Sequence, residues 1–407
     1  MKRFCILVCA LLAVATLSAQ ESSTTTDKSA TIESLNARLT KSEKRIAILG
    51  KLEQYLKVTA FFQGQYEWHD ADSEHSTSVS TFSLRRARFS LTGDLYKGKK
   101  GALIDYRFYF DLARIPKNPM LDMWIRYQPV KEFAIQLGQF KNPFSFEASI
   151  SPSKYDFVDF SYAVCNLAKM GSNDVCGLNV TARDLGFMLL GGFIHRDGYS
   201  ILNYHVGVLN GNGLNEKDNN KSKDVFGRIT VKPSKDFALA AYYQWGEANL
   251  LHMLNDKPDL YADYRWDGSA EYVTTHRWGG GFNYDGKKAF ARGEYIAGLT
   301  GAMPSEGLYV EAGKRFNLAE NRGMFWAGGM VDYFCRNCFD YIHRDTKNAA
   351  IEMRYSVCLG YTPVKYFRVQ LAYSLEQRIH HTFSNNRHFG NGVKLMVTGI
   401  VTTAMTR

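Results

Sequence analysis

The sequence predicts an all-β fold: a 16-stranded antiparallel transmembrane β-barrel with a short N-terminal α-helical, coiled-coil-like segment ahead of it. Three observations point there. From about Lys57 the residue types alternate with period two. About sixteen such stretches follow one another, an even number, as a closed barrel with both termini on one side requires. The connections between them alternate in length. Ala102 to Asp111 shows the alternation best: Ala102, Ile104, Tyr106, Phe108 and Phe110 share one parity, and Asp105, Arg107, Tyr109 and Asp111 share the other, with Leu103 the exception. Successive side chains of a strand point to opposite faces, so one face is oily and the other polar. A soluble half-buried strand looks the same in isolation. Recurrence through most of the chain is what favours lipid outside and water inside.

The elements follow in order. Residues 1–19 read as a signal peptide, with Lys2 and Arg3 as the basic start, Phe4 to Leu17 as the apolar run and a cut after Ala19. The run is too short to span a membrane. Residues 20–30 are Ser/Thr-rich and read as a flexible linker. Over 31–56 the period changes. Ile32, Leu35, Leu39, Ser42, Ile46, Leu49, Glu53 and Leu56 fall on successive a and d positions, so a periplasmic helix or coiled coil is expected. A coiled coil needs partner chains; the other reading is one amphipathic helix at the barrel mouth.

Residues 57–407 form the barrel domain. Strands are expected near 57–69, 79–96, 101–113, 120–129, 133–140, 183–195, 200–210, 223–232, 236–249, 273–284, 288–300, 306–316, 322–334, 349–361, 366–378 and 391–405. One set of connections is tight, such as Lys97-Gly98-Lys99-Lys100, Arg196-Asp197-Gly198 and Asp285-Gly286-Lys287. The other set is mostly longer: 70–78, 142–182, 211–222, 250–272, 335–348 and 379–389. Short turns on the periplasmic rim and long loops outside are the habit of outer-membrane barrels. Aromatic clusters at Phe61, Phe62, Tyr66 and Trp68, at Tyr242, Tyr243 and Trp245, and at Tyr361, Tyr366 and Phe367 suit girdles at the lipid–water boundary.

Composition narrows the function classes. Net charge is +10 and falls to +8 when Lys2 and Arg3 are removed. That is a modest excess with no basic run, and export argues against nucleic acid. Of seven cysteines, Cys5 and Cys9 lie in the signal peptide. Cys165 and Cys176 are spaced for a bridge within one loop. Cys335-Arg336-Asn337-Cys338 with His343 is half of a zinc site at most, since zinc needs about four ligands. No metal or cofactor is expected. No enzyme is expected either: His205 and His276 have no paired nucleophile, and there is no Walker loop or dinucleotide fingerprint.

Two stretches carry a family resemblance: Leu84-Arg85-Arg86-Ala87-Arg88-Phe89-Ser90-Leu91-Thr92-Gly93-Asp94, and Gly138-Gln139-Phe140-Lys141-Asn142-Pro143-Phe144-Ser145-Phe146-Glu147. Both resemble signatures of the phosphate-selective porin O and P family, and Leu121 to Tyr127 looks like that family's strand between them. The resemblance covers about residues 80–150. It implies a trimeric sixteen-stranded barrel of the Gram-negative outer membrane whose lumen carries an arginine ladder for anions. Arg86 and Arg88 match ladder-type positions.

Parity alone assigns the faces. Ala87, Phe89, Leu91 and Leu95 turn to lipid, and Arg86, Arg88, Ser90, Thr92 and Asp94 to water. The same rule makes Arg107, Arg126, Arg228, Arg277, Arg292, Arg315, Arg354 and Arg368 inward, because an arginine facing lipid at mid-membrane costs roughly 2–4 kcal/mol. Arg85 breaks the rule and marks a rim or a bulge. Inward carboxylates are also expected at Asp94, Asp105, Asp111, Asp122, Glu294, Glu311, Glu352 and Glu376, so cross-strand pairing is the competing use of the arginines. The segment 142–182 is too long for an ordinary connection and is expected to fold inward as a constriction. Lys141, Glu147, Lys154, Asp156 and Asp159 would be its charged residues, with the acids facing an arginine wall. The expected function is passive diffusion of small hydrophilic solutes with anion preference. The alternatives are a sugar or oligosaccharide channel, and a closed barrel serving adhesion or envelope anchoring. Expected partners are small anionic or polar solutes, outer-membrane lipid and lipopolysaccharide, and further copies of the chain.

Overall fold

The computed structural model describes residues 55–402, apart from 71–77, 99–101, 116, 171–174, 176–180, 219, 221, 250–271, 302, 320–321, 337–349 and 381–385. Sixteen strands occur in it: β1 (Lys57–His69), β2 (Val79–Lys97), β3 (Leu103–Asp111), β4 (Met120–Val130), β5 (Phe133–Lys141), β6 (Arg183–Arg196), β7 (Tyr199–Leu209), β8 (Asp224–Val231), β9 (Phe237–Asn249), β10 (Tyr272–Asp285), β11 (Ala289–Thr300), β12 (Met303–Asn317), β13 (Met324–Arg336), β14 (Ala350–Val364), β15 (Phe367–His380) and β16 (Asn386–Thr402). Each pairs antiparallel with its sequence neighbours, and β1 closes on β16 from Thr59↔Thr402 to His69↔Gly392. Closure leaves no edge, which a sheet in hydrocarbon requires because lipid offers unpaired backbone groups no partner.

The alternation is clearest in β9. Ala238, Ala240, Tyr242, Gln244, Gly246 and Ala248 are buried, while Leu239, Ala241, Tyr243 and Trp245 between them are exposed. The outer surface is correspondingly apolar, with Phe82, Leu84, Ile125, Leu137, Ile229, Val331 and Val357 all more than 45% exposed. That is an unfavourable surface in water and an ordinary one in lipid.

Strand positions differ from the sequence expectation mainly at ends. β3 stops at Asp111, whose carboxylate accepts the Ala113 amide at 3.3 Å and starts a 3-10 turn over Leu112–Arg114. β16 begins at Asn386, five residues before the expected 391, pairing polar residues that carry no alternation signal. The expected helix of 31–56 lies outside the described residues but for its last two; there the Tyr55 carbonyl accepts the Tyr106 hydroxyl at 2.8 Å. Cys165 carries a free thiol; Cys176 and Cys338 lie outside the described residues.

Two local irregularities shape the lumen. The β1–β2 register slips between Gln63↔Arg86 and Gly64↔Leu84, which leaves Arg85 as an extra residue. Such a bulge lets two consecutive side chains face one way: Arg85 bonds Gln65 and Asp159, and Arg86 bonds Gln63. In β5, Gly138 has φ +126, and a Cβ there would stand 2.2 Å from the Met123 carbonyl oxygen. Only glycine fits this position, three residues before β5 ends at Lys141 and the inserted segment begins.

Candidate functional site

The segment Asn142 to Ala182 folds against inward-facing residues of the barrel wall. It opens with α1 (Phe146–Ser149) and continues to α2 (Tyr162–Leu167), each capped by a serine, Ser145 and Ser161. Its apolar side chains fill the space that small wall residues leave. Phe144, Phe146, Ala163, Val164 and Leu167 join Ala238, Ala240, Tyr242, Ile296 and Phe334 in one buried cluster. Tyr155, Phe157 and Phe160 join Phe290, Trp326 and Met330 in a second.

Buried charges pin the segment. Glu294 of β11 accepts five donors: Ser145 Oγ at 2.9 Å, the amides of Phe146 at 2.7 Å and Glu147 at 3.0 Å, and the hydroxyls of Tyr242 at 2.8 Å and Tyr309 at 2.6 Å. Asp332 of β13 accepts the Tyr162 amide at 2.6 Å. Arg354 donates to the Phe160 carbonyl at 2.6 Å and to Asp332 at 2.9 Å. Asp156 takes Arg315 at 2.9 Å and Arg368 at 3.4 Å, and Arg368 lies 4.1 Å above the Trp326 ring. Arg228 donates to the Pro143 carbonyl at 2.8 Å beneath the Phe146 ring.

Five of the arginines expected to line the pore therefore serve the protein's own interior. Arg228, Arg292, Arg354 and Arg368 point inward yet are buried: the first, third and fourth bond the segment itself, while Arg292 bonds Asn283 and Glu311 and lies over the segment's Tyr155 ring. Arg277 bonds the carbonyls of His276 and Leu299 and the Thr300 hydroxyl, all on its own or the adjacent strand. Parity gives the face a residue points to and says nothing of what covers it. The acids correct a second expectation. Glu147 is fully buried, Asp156 meets Arg315 and Arg368, and Asp159 meets Arg85 at 2.8 Å and Lys394 at 2.7 Å. Asp156 and Asp159 meet wall arginines in direct ion pairs rather than across an open pore, and Glu147 pairs with no cation among the described residues, being held by Ser161 and Tyr155. Lys154 is exposed.

Glu147 is held by the Ser161 amide and hydroxyl and by Tyr155, whose hydroxyl also lies 2.7 Å from Glu311. Burial, and then the charge of Glu311, push the Glu147 carboxyl well above the usual glutamate range. A carboxyl raised in the folded state stabilises that state at low pH, and the contribution is lost as pH climbs through the raised value. Docking of the segment is thus expected to weaken toward alkaline pH. Transient conductance steps in bilayers should become more frequent as pH rises from the ordinary glutamate value of 4.5 to the raised value of about 8, and Glu147→Gln should flatten that dependence. Asp159 goes the other way: burial alone would raise it, but Lys394 and Arg85 outweigh burial and hold it well below the usual range.

The wall of β2–β6 carries a different set. Arg88 pairs with Asp111 at 2.7 Å, and Asp122 takes both Arg183 at 2.5 Å and Arg107 at 3.2 Å. Arg86 finds a neutral partner, Gln63, at 2.8 Å. Lys141 has Arg183, Arg88, Asp122 and Arg86 as its charged neighbours. Five cations here face two carboxylates, Asp111 and Asp122, an excess of three positive charges. Lower down, Arg126 forms a bidentate pair with Asp105 at 2.9 and 2.6 Å. Arg107 touches Asp122 through Nε and stacks on Tyr109 at 4.5 Å, with over a third of its side chain exposed. Its Nη groups make no hydrogen bond to a described residue. Arg183 and Lys394 were not among the expected site residues. Arg183 opens β6 directly after the long segment, and Lys394 shares the inward parity of Met396 and Thr398, so parity extended to strand starts and to lysines finds both.

Comparison with known proteins bears on the fold. Residues 56–251 match the family model for phosphate-selective porin O and P. Among solved structures, the chain is similar to an anion-selective porin from Comamonas acidovorans, with TM-score 0.58, 8% identity, and 85% of this chain covering 99% of that one. It is similar to the outer membrane channel DcaP of Acinetobacter baumannii, with TM-score 0.57, 11% identity, and 85% of this chain covering 97% of that one. It is also similar to Salmonella typhi OmpF, with TM-score 0.56, 12% identity and the same two coverages. At such identities the likeness establishes the barrel fold. No curated protein matches the chain by sequence.

Proposed function

We propose, on the premise that residues 56–251 belong to the phosphate-selective porin O and P family and that the chain is an outer-membrane porin, that it passes small anions past the β2–β6 wall. The observation that carries this reading is the excess of cations among Arg86, Arg88, Arg107, Lys141 and Arg183 over Asp111 and Asp122. Arg86 and Arg107 keep guanidinium donors that no described protein group uses. Such forks suit phosphate or carboxylate oxygens, and guanidinium is less tightly hydrated than ammonium. An ion moves along such sites if each holds it weakly. Partial neutralisation by Asp111 and Asp122 supports weak holding, and with it passage rather than trapping.

Transport is passive and no bond is made or broken, so the chain is not an enzyme. The Comamonas acidovorans porin, which shares the barrel fold, is anion-selective, and the preference proposed here agrees with it. The heptad pattern of 31–56 and the family resemblance support a homotrimer with its N-terminal segment in the periplasm. Solute identity is tested by blocking chloride current through the full-length protein in planar bilayers. Inorganic phosphate should reduce the current at millimolar concentration while a neutral oligosaccharide does not. Block by the sugar alone would select the sugar-channel reading instead.

A further inference from the structure

The two rims of the barrel differ in charge. The short connections 98–102, 131–132, 197–198, 232–236, 286–288, 318–323 and 365–366 hold nine basic and four acidic residues. The opposite connections, 70–78, 112–119, 142–182, 210–223, 250–271, 301–302, 337–349 and 381–385, hold eleven basic and sixteen acidic residues. A generally charged surface would show the same sign at both ends.

On the short-turn rim Lys97, Lys131, Lys235, Lys287, Lys288 and Lys314 are exposed. None of the six forms an ion pair with a described residue. Several carboxylates nearby are engaged elsewhere: Glu132 with His195 at 2.8 Å, Asp197 with Arg196 at 3.6 Å and Asp285 with Arg315 at 2.6 Å.

Outward tyrosines border these lysines. Tyr96, Tyr127, Tyr284 and Tyr366 are 54%, 51%, 39% and 42% exposed. The hydroxyls of Tyr96 and Tyr284 fold back over the turn glycines, 2.7 Å from a Cβ built on Gly98 and 2.5 Å from one built on Gly286. Lys365 Nζ lies 4.7 Å above the Tyr366 ring. Lys314 shares the outward parity of Leu308, Val310 and Phe316 on β12, three residues from the strand end. Tyrosine beside an apolar band marks the lipid–water boundary, and a lysine stem laid along apolar surface carries its ammonium to that level.

We infer that this rim is a docking surface for anionic phospholipid headgroups of the periplasmic leaflet. Ammonium groups on the turns take the phosphodiester oxygens, with the tyrosines beside them at headgroup depth. Basic residues next to a membrane surface attract anionic lipid, and the attraction fades with salt over about 10 Å. The tyrosine border commits the surface to lipid, because a soluble polyanion needs the charge but not the adjacent apolar band. The inference rests on the outer-membrane reading and not on the solute.

The test uses the full-length protein in neutral detergent, titrated with phosphatidylglycerol or phosphatidylcholine of the same acyl chains, with bound lipid counted by native mass spectrometry. Phosphatidylglycerol should bind about tenfold more tightly at low salt, lose that advantage in high salt, and lose most of it in the variant with all six lysines changed to glutamine. Equal binding of the two lipids overturns the inference, and so does a preference that survives in the variant. Unit conductance of the same samples is recorded in parallel. A barrel that conducts nothing would overturn the channel reading while leaving the lipid result legible.

Discussion

Arg86→Glu, Arg107→Glu and Lys141→Glu combined are expected to turn the channel from anion-preferring to cation-preferring. The cluster of Arg86, Arg88, Arg107, Lys141 and Arg183 on this wall sets five cations beside two carboxylates, Asp111 and Asp122, a local balance of +3. Each reversal changes the balance by two, so three reversals carry it to −3. Ion preference follows the sign of fixed charge along the path, and the zero-current potential across a salt gradient should change sign. The three positions suit the experiment because none of them holds the inserted segment by an ion pair: Arg86 bonds neutral Gln63, Arg107 shares Asp122 with Arg183, and Lys141 lies on the wall beside them. Lys154→Glu, on the exposed part of the segment, should shift the potential far less. Equal shifts from Lys154 alone and from the triple variant would show that the wall is not the selective element.

Glu294→Ala is expected to release the inserted segment and raise unit conductance severalfold. One carboxylate accepts five donors, three of them from Ser145, Phe146 and Glu147 at the start of the segment. Hydrogen bonds to a charged group contribute about 1.5–3 kcal/mol each, so losing those three removes roughly 4 kcal/mol or more from the docked state. The hydroxyls of Tyr242 and Tyr309 are left buried without that acceptor, which costs more. Each strand of the wall keeps its own ladder, so the barrel should still show its β-rich circular dichroism. A protease should then cut between 142 and 182 faster than it cuts the unmodified protein. Glu294→Gln keeps an acceptor oxygen but turns an amide against donors, so it should fall between the two. Unchanged conductance with an intact barrel would mean the segment does not narrow the path.

Much of the fold was legible because hydrocarbon imposes a single rule. Where one face meets lipid, every second residue is apolar, and β9 keeps that rule over nearly its whole length. Ends were less legible. The Asn386 end of β16 lies where pairing continues without that selection, and the end of β3 is set by one carboxylate, Asp111, capping the next turn. The site was legible only in part. Parity correctly turned Arg228, Arg292, Arg354 and Arg368 inward, but their neighbours lie far away in sequence. Arg354 meets Phe160 across 194 positions. Nothing local to a strand states whether water or a packed segment covers its inner face. Arg85 is the intermediate case: its break in the alternation left a rim or a bulge open, and the slip between Gln63 and Gly64 makes it a bulge.

The motif Gly138 to Glu147 now has a physical reading. Gly138 allows the close pass against Met123, Phe144 and Phe146 anchor in the wall, Ser145 caps α1, and Glu147 ties the first turn to the second through Ser161. It is a motif for inserting a segment into a barrel. On the proposed function, solute contact falls to Arg86 and Arg107 on the facing wall, whose remaining guanidinium donors no described group uses.

The central claim is that a net positive wall beside the inserted segment selects the ions that pass. The zero-current potential of the unmodified full-length protein, measured across a potassium chloride gradient in a planar bilayer, tests it most directly. The predicted sign is that of chloride moving faster than potassium. A potential of the opposite sign, or none at all, would contradict it.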